Sequence, residues 1–316
     1  MAGGTEVVTT RVLKPQGLTM SSYVMINGKI ALEADAQISA FDRGFLFGDC
    51  IYEIIAARNG VLIDFERHVQ RLRQSAAHHE IAIPWSDELM RFDIDHLIAT
   101  HPFEYAQIRL VVSRGIGGGL IPSSDLKPQR YLYYREALLP FYDENSPGVK
   151  LKTRRNPTIH KDDVSKTNNY LHAISASAGA AREGFDEVLW TGPDGEFTEC
   201  GFANVFFISR DGDLVEIATP PTNAGILAGV TRSRIIDLLT LAQIPVTERT
   251  VTIEELPRFD EAFVSSSVKL LRPVTLIDKH RLHSTRKNAV FWHIHRLYNS
   301  WTQNQILDHL QKDLQH

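Results

Sequence analysis

Val164-Ser165-Lys166-Thr167-Asn168-Asn169-Tyr170-Leu171 sets one lysine at the entry to an Ala-rich stretch whose pattern predicts a helix over 168–183. Taken singly, such a lysine reads as a solvated surface charge. Three other segments change that reading. Thr198-Glu199-Cys200-Gly201-Phe202-Ala203-Asn204 follows the Pro193-Asp194-Gly195 turn within a predicted strand pair, and it places a carboxylate among Phe197, Phe202, Val205 and Phe206. A buried acid in such company needs a cationic partner. Leu227-Ala228-Gly229-Val230-Thr231 runs directly into a predicted helix, so backbone N–H groups and a hydroxyl meet at a helix N-terminus, a natural seat for a phosphate. Ser265-Ser266-Ser267 closes a predicted strand and offers further hydroxyl donors. Spacing alone does not say that these parts converge.

Around them the chain reads as two domains, which its 316 residues are enough to build, each with its own core. Val24-Met25-Ile26 and Ile30-Ala31-Leu32 flank Asn27-Gly28, a dipeptide that accepts positive φ at both turn positions; Asn59-Gly60 likewise joins Ile51–Ala57 to Val61–Phe65. Helical spacing over Glu66–His79 and Asp87–Thr100, then strands at Ile108–Ser113 and Tyr131–Arg135, complete a smaller α+β domain over 23–139. Residues 140–148 keep no period and carry Pro140, Asn145, Pro147 and Gly148, which marks a linker. A larger, β-rich domain follows over 149–316. It is predicted as strand 149–154, helix 168–183, strands 186–191 and 197–208, helices 229–243 and 252–257, strand 261–267, and a long amphipathic helix from about Thr285. Residues 1–22 read as a loosely ordered extension.

Composition narrows the partners. Hydrophobic residues at 43% and charged residues at 23% are those of a soluble globular protein, and a formal net charge of −4 leaves no excess of cations for nucleic acid. Apolar runs such as Ile108–Val112 are too short for a bilayer and the N-terminus has no signal-peptide core, so a cytoplasmic address and no membrane partner are expected. Cys50 and Cys200 form no C-x-x-C, which predicts neither disulfides nor zinc. The His78-His79 and His293/His295 pairs match no metal-ligand motif, and no metal is expected.

Several ordered motifs carry a resemblance. Phe41-Asp42-Arg43-Gly44-Phe45-Leu46-Phe47-Gly48-Asp49-Cys50-Ile51-Tyr52-Glu53 is similar to D-R-G-x-x-F-G-D-G-x-Y-E, and Arg67-His68-Val69-Gln70-Arg71-Leu72 to an H-x-x-R-L helix. Lys166 matches a Schiff-base lysine, Thr198–Asn204 a T-E-G-x-x-x-N strand, Gly229-Val230-Thr231-Arg232 a G-I-T-R turn, and Phe263–Val274 a strand and turn ending in P-V. From roughly Tyr23 to Asp278 the chain thus resembles the fold-type-IV enzymes of pyridoxal 5′-phosphate (PLP): branched-chain aminotransferases, D-amino-acid aminotransferases and 4-amino-4-deoxychorismate lyases. The resemblance implies the two-domain fold of that family and PLP as cofactor. It implies that Lys166 anchors PLP as a Schiff base and later shuttles the substrate proton, and that Glu199 pairs with the pyridine nitrogen. Arg71, the turn Gly229-Val230-Thr231, Ser266 and Ser267 would hold the phosphate, Leu227 would pack on the ring, and Tyr52 would face substrate. Cys200 and Cys50 stand where the family usually has glycine, and neither has a neighbouring base that would make it a nucleophile.

The branch is less determined. Lys166 to Asn169 has the K-x-x-N spacing of the D-amino-acid aminotransferase and lyase branches, whereas Tyr170-Leu171 and Arg109 look like branched-chain features. Arg114-Gly115-Ile116-Gly117-Gly118-Gly119 resembles the lyases but has Gly119 where they carry arginine, and lacks the R-x-H of the D-amino-acid branch. The expectation is therefore an aminotransferase working between an amino acid, of D or branched-chain type, or an amine, and a 2-oxo acid. The alternatives are the lyase and an R-selective amine transaminase. Intact Lys166, Glu199 and Arg71 argue against a PLP-binding protein without turnover. A homodimer is implied. Arg109 is expected to meet either a substrate carboxylate or a framework carboxylate, Glu53 or Asp49.

Overall fold

The computed structural model describes residues 22–140, 142–156, 165–212 and 214–313. The expected extension lies outside them except for Ser22, as do 157–164 at the front of the lysine segment.

The N-terminal half builds an antiparallel six-stranded sheet from β1 (Ser22–Ile26), β2 (Lys29–Leu32), β3 (Cys50–Arg58), β4 (Val61–Leu62), β5 (Tyr105–Ser113) and β6 (Gln129–Glu136), in the order β2-β1-β6-β5-β3-β4. Both Asn-Gly dipeptides close hairpins with positive φ at each turn residue: 49° and 86° at Asn27 and Gly28, 49° and 82° at Asn59 and Gly60. The expected strand Val61–Phe65 stops at Leu62, because Asp64 turns left-handed and caps the next helix. After the short α1 (Arg43–Phe47), α2 (Phe65–His78) and α3 (Asp87–Thr100) cover one face of the sheet. Alternation along β5 sends Ala106, Ile108, Leu110 and Val112 into that core and leaves Gln107 and Arg109 on the opposite face. β5 opens at Tyr105, earlier than expected, because 105–107 pair with Arg58–Ala56 of β3.

β6 ends at Glu136 and β7 (Val149–Arg155) opens the second sheet. This mixed, nine-stranded sheet contains β8 (Glu187–Thr191), β9 (Phe197–Cys200), β10 (Asn204–Asp211), β11 (Leu214–Thr219), β12 (Val246–Glu248), β13 (Glu261–Ser266), β14 (Leu270–Ile277) and β15 (His280–Arg281). Its order is β12-β11-β10-β13-β14-β7-β8-β9, with β15 on β14. Helices α4 (Leu171–Arg182), α5 (Val230–Leu241) and α6 (Val290–Asp313) belong to this half, and the expected helix 252–257 is a 3₁₀ turn, Ile253–Arg258, containing Pro257. α6 starts later than Thr285 because Glu261, on a distant strand, accepts the Val290 and Phe291 N–H groups at 2.8 and 2.9 Å and so fixes its first turn.

One correction bears directly on the site. The predicted single strand 197–208 is two strands, β9 on β8 and β10 between β11 and β13. The chain reverses at Gly201–Ala203: Cys200 N donates to Ala203 O at 2.8 Å, and a side chain at Gly201 would press on Ser177 Oγ and Val188 at 3.1 Å. That reversal brings Glu199 and Asn204 side by side. Likewise α4 begins at Leu171 rather than 168, since Asn168 and Tyr170 make side-chain contacts with the first sheet instead.

Candidate active site

A cavity of about 590 Å³ opens between the two sheets, within the roughly 300–1,000 Å³ usual for small-molecule sites. Tyr52, Arg71 and Arg109 line it from the N-terminal half; Lys166, Glu199, Leu227, Gly229, Val230, Thr231, Ser266 and Ser267 line it from the other. Every residue singled out from sequence therefore faces one space.

Lys166 sits at the seam. Its carbonyl accepts from Tyr52 N at 2.9 Å and its N–H donates to Ser75 Oγ at 3.3 Å, so β3 and α2 both fix its backbone. Its Nζ lies 4.7 Å from the centroid of the Tyr52 ring, and Arg109 Cζ lies 3.8 Å from the same centroid. The two cations are thus no further apart than those distances combined, a small-molecule span. The Tyr52 hydroxyl bonds to that of Tyr170, whose ring stacks on Phe202 at 5.7 Å. Burial and the neighbouring Tyr170 push the Tyr52 phenol well above its ordinary range, so it stays neutral.

Glu199 occupies the C-terminal side. Its Oε2 accepts from Asn204 Nδ2 at 3.1 Å and from Leu227 N at 3.2 Å, while Asn204 Nδ2 also reaches Leu227 O at 3.0 Å. Burial pushes its carboxyl up to about 7, against the pull of the Leu227 N–H and of Lys166, Arg71 and Arg232. Such an acid is poised to gain from a cation on the cavity side. Gly229 packs so closely here that a Cβ would stand 1.9 Å from Asn204 Oδ1.

The third corner is built for an anion. α5 starts at Val230 with Gly229 as cap, aiming its first N–H groups at the cavity beside Thr231, Ser266 and Ser267. Arg71 brings the charge. Its Nε and Nη2 fork onto Glu53 at 2.7 Å each, and Nη1 donates to Ala228 O at 2.9 Å. Glu53 also takes His68 Nδ1 at 2.7 Å, and His68 Nε2 lies 3.4 Å from Ser267 Oγ. Burial would raise the Glu53 carboxyl, but Arg71 and His68 hold it down at about 2. Ser265 Oγ, also on the cavity wall, is buried and finds no hydrogen-bond partner among the described residues. The donor set, the orphaned hydroxyl and the acid on the far side fit a phosphorylated pyridine ring.

Sequence reasoning missed Glu53, His68 and Asn204. His68 and Arg71 share one face of α2 at i, i+3 spacing, a signal for a common partner, but nothing in the apolar run around Glu53 names that partner. For Arg109, the framework pairs considered are not formed: Glu53 is taken by Arg71 and His68, and Asp49 by Arg43 at 2.7 Å and Arg114 at 2.9 Å. Arg109 instead donates to Asn168 Oδ1 at 2.6 Å and faces the cavity. Burial pushes the Cys50 thiol up to about 11 and Cys200 well above its ordinary value, so neither is a thiolate.

A cavity pairing an amine with a buried acid and an anion cup, set between a smaller α+β unit and a larger β-rich one, defines a PLP enzyme of fold type IV. The chain belongs to the class IV aminotransferase family, whose profile matches residues 50–277, and is a PLP-dependent enzyme. It is 32% identical over 256 residues to a putative branched-chain-amino-acid aminotransferase of Methanocaldococcus jannaschii, covering 81% of this chain and 88% of that one. It is 27% identical over 283 residues to the D-alanine aminotransferase of Listeria innocua, covering 87% and 94%. The fold is that of the Escherichia coli branched-chain amino acid aminotransferase, at a TM-score of 0.77 and 23% identity over 89% of this chain and 94% of that one. Among the described residues no helix is long and apolar enough to cross a membrane.

Proposed function

We propose that this enzyme moves an amino group from an amino acid, of D or branched-chain type, or an amine, to a 2-oxo acid, with the roles that follow. The observation that carries the proposal is the meeting of Lys166 Nζ, the Glu199 carboxyl and the α5 N-terminus on one cavity. When bound, PLP supplies the aldehyde that receives the amino group and a ring that withdraws electrons from the substrate carbon. Lys166 would hold the cofactor covalently and, once freed by substrate, would carry the proton to and from the substrate carbon. Glu199, steadied by Asn204 and Leu227 N, keeps the ring nitrogen protonated. Arg71, Gly229, Val230, Thr231, Ser266 and Ser267 grip the phosphate, and Leu227 packs on the ring. Tyr52 and Arg109 orient the substrate carboxylate, for which Arg109 offers a planar fork facing no protein carboxylate within ion-pair distance among the described residues.

The 4-amino-4-deoxychorismate lyase reading keeps some support from Cys200, a residue those enzymes tolerate after the acid. It is opposed by Gly119 in place of their arginine. An R-selective amine transaminase is the minor alternative. The test is spectroscopic: the purified yellow protein loses its absorbance band on addition of an amino donor and regains it with a 2-oxo acid, through repeated cycles. A panel of L- and D-amino acids and R-amines identifies the donor. Pyruvate release from aminodeoxychorismate without such cycling selects the lyase instead.

We also propose a homodimer. Phe41, Phe45, Leu120 and Ile121, at 66, 68, 81 and 89% exposure, gather on α1 and the loop beside it, which the Asp42–Ile116 bridge ties together. A patch of this kind calls for a partner. We place the domain boundary in residues 140–148, and the protein in the cytoplasm, where unpaired Cys50 and Cys200 stay reduced.

A further inference from the structure

We propose that Asn168 is a positioning residue: its side-chain carbonyl aims the Arg109 guanidinium at the substrate carboxylate without cancelling its charge, and so makes the site favour acids over amines. The inference rests on the substrate role given to Arg109 above.

Two contacts hold the Arg109 guanidinium among the described residues. Its Cζ lies 3.8 Å from the Tyr52 ring centroid, which sets the plane of the group but leaves it free to turn within that plane. One bond stops the turning: Nη2 donates to Asn168 Oδ1 at 2.6 Å. Arg109 lines the cavity and Asn168 does not, so Asn168 acts through the arginine and not on substrate. The asparagine is itself fixed by backbone. Its N–H donates to the Cys50 sulfur, its carbonyl accepts from Tyr170 N at 2.9 Å, and Thr167 before it bridges to Ile51. Two residues earlier, Lys166 O accepts from Tyr52 N. The segment that carries Lys166 therefore also sets the direction of Arg109, and both cations keep one register over the Tyr52 ring.

The amide decides where the charge goes. Other arginines of this half meet carboxylates: Arg43 and Arg114 meet Asp49, Arg71 meets Glu53, and Arg130 meets Asp93. An aspartate at 168 would form the same kind of pair with Arg109, and a substrate carboxylate would have to compete with it. An amide oxygen takes one N–H and no charge. Two residues along β5 and on the same cavity face, Gln107 is also an amide, and its oxygen, turned toward β6, accepts from Arg135 Nη2 at 2.7 Å. It too brings no counter-charge. Of the described residues that line the cavity, Glu199 alone is a carboxylate, and it is held by Asn204 and Leu227 N in the other half. Arg109 is thus aimed by a neutral group and left to be balanced by what enters.

The test uses the cofactor-loaded protein and 4-methylpentanoate, which has a carboxylate but neither an amino nor an oxo group, with 4-methylpentanamide as its uncharged match. Calorimetry should show the carboxylate bound about ten-fold more weakly by Asn168→Ala, which loses one hydrogen bond to a charged group, and roughly thirty-fold or more by Asn168→Asp, where the new carboxylate pairs with Arg109. The amide should bind all three proteins alike. In an Arg109→Leu background, Asn168→Ala should change carboxylate affinity no further. In turnover, kcat/KM for amino acids relative to amines should fall in the same order, through KM and not kcat. Carboxylate affinity in Asn168→Asp equal to that of the parent, or equal losses for carboxylate and amide, overturns the proposal; if Asn168→Asp does not fold, the same two results in Asn168→Ala overturn it. Affinity indifferent to Arg109→Leu removes the substrate role of Arg109 and this proposal with it. Donor and acceptor cycling with a carboxylate affinity indifferent to Asn168 removes this proposal alone, whereas an affinity that depends on Asn168 and Arg109 in a protein that does not cycle supports it and refutes the aminotransferase reading.

Discussion

Replacing Glu53 by Gln removes one negative charge from a fully buried site, and its cost can be worked out in two ways. Arg71, 8% exposed, loses the carboxylate onto which its Nε and Nη2 fork and keeps the Ala228 carbonyl at 2.9 Å. Leaving one member of a buried pair uncompensated costs about 3–5 kcal/mol. Independently, Glu53 is held at about 2 where an ordinary glutamate has 4.5, which amounts to roughly 3 kcal/mol of stability at neutral pH. The sign follows: a lowered carboxyl stabilises above its unfolded value and loses that contribution as pH falls from 4.5 toward 2. Urea denaturation of the cofactor-free protein at pH 7 should therefore show Glu53→Gln less stable by about 3–5 kcal/mol, with the gap closing toward pH 3. The double variant Glu53→Gln/Arg71→Met should be less damaged than the two single losses together, since the second change removes the stranded cation. A single-variant loss below about 1 kcal/mol, or a gap that does not depend on pH, would refute the reasoning.

Lys166→Ala should abolish the cofactor absorbance band and turnover, and borohydride reduction followed by peptide mapping should label Lys166 alone. Glu199, pushed up from 4.5 to about 7, destabilises the cofactor-free fold as pH rises through that window, by roughly 3 kcal/mol in all. Glu199→Gln should flatten the fall in melting temperature between pH 5 and 8 while leaving PLP bound and slowing the half-reaction; an unchanged profile counts against the buried acid. Arg109→Leu should raise KM for amino and 2-oxo acids by an amount worth roughly 2–5 kcal/mol and spare amines without a carboxylate. Equal loss for acids and amines would mark Arg109 as a framework residue.

What was legible in the sequence followed local chemistry. Asn27-Gly28 and Asn59-Gly60 needed positive φ and took it. Gly229–Thr231 and Ser266-Ser267 stood out because they sit at element ends, where donors are left over, whereas Lys166 by itself read as a surface charge and drew notice only through the other segments and the resemblance. What escaped depended on partners far along the chain. The run from Phe197 to Ile208 is apolar enough to read as one strand, and only Gly201, pressed between α4 and β8, betrays the reversal. The start of α6 is set by Glu261 from another element, and the partner of His68 and Arg71 is Glu53, inside a strand with no periodic mark of its own.

The anion cup shows why such partners matter more than their position suggests. Its walls come from α5 and the β13–β14 turn, but its charge comes from α2 on the other sheet, so its shape is a property of how the halves meet. Arg67 donates to Asp237 at 2.6 Å and Arg234 pairs with Asp64, tying α2 to α5 in both directions. Arg71 Nη1 on Ala228 O holds the residue just before the α5 cap, and Tyr105 OH on Val268 O at 2.8 Å holds the turn that carries Ser266 and Ser267. None of these groups except Arg71 needs to touch the cofactor, yet each fixes a donor that would. Loosening them should therefore weaken cofactor retention before it slows proton transfer at Lys166, because that lysine keeps a hold outside α2, the Tyr52 N–H of β3.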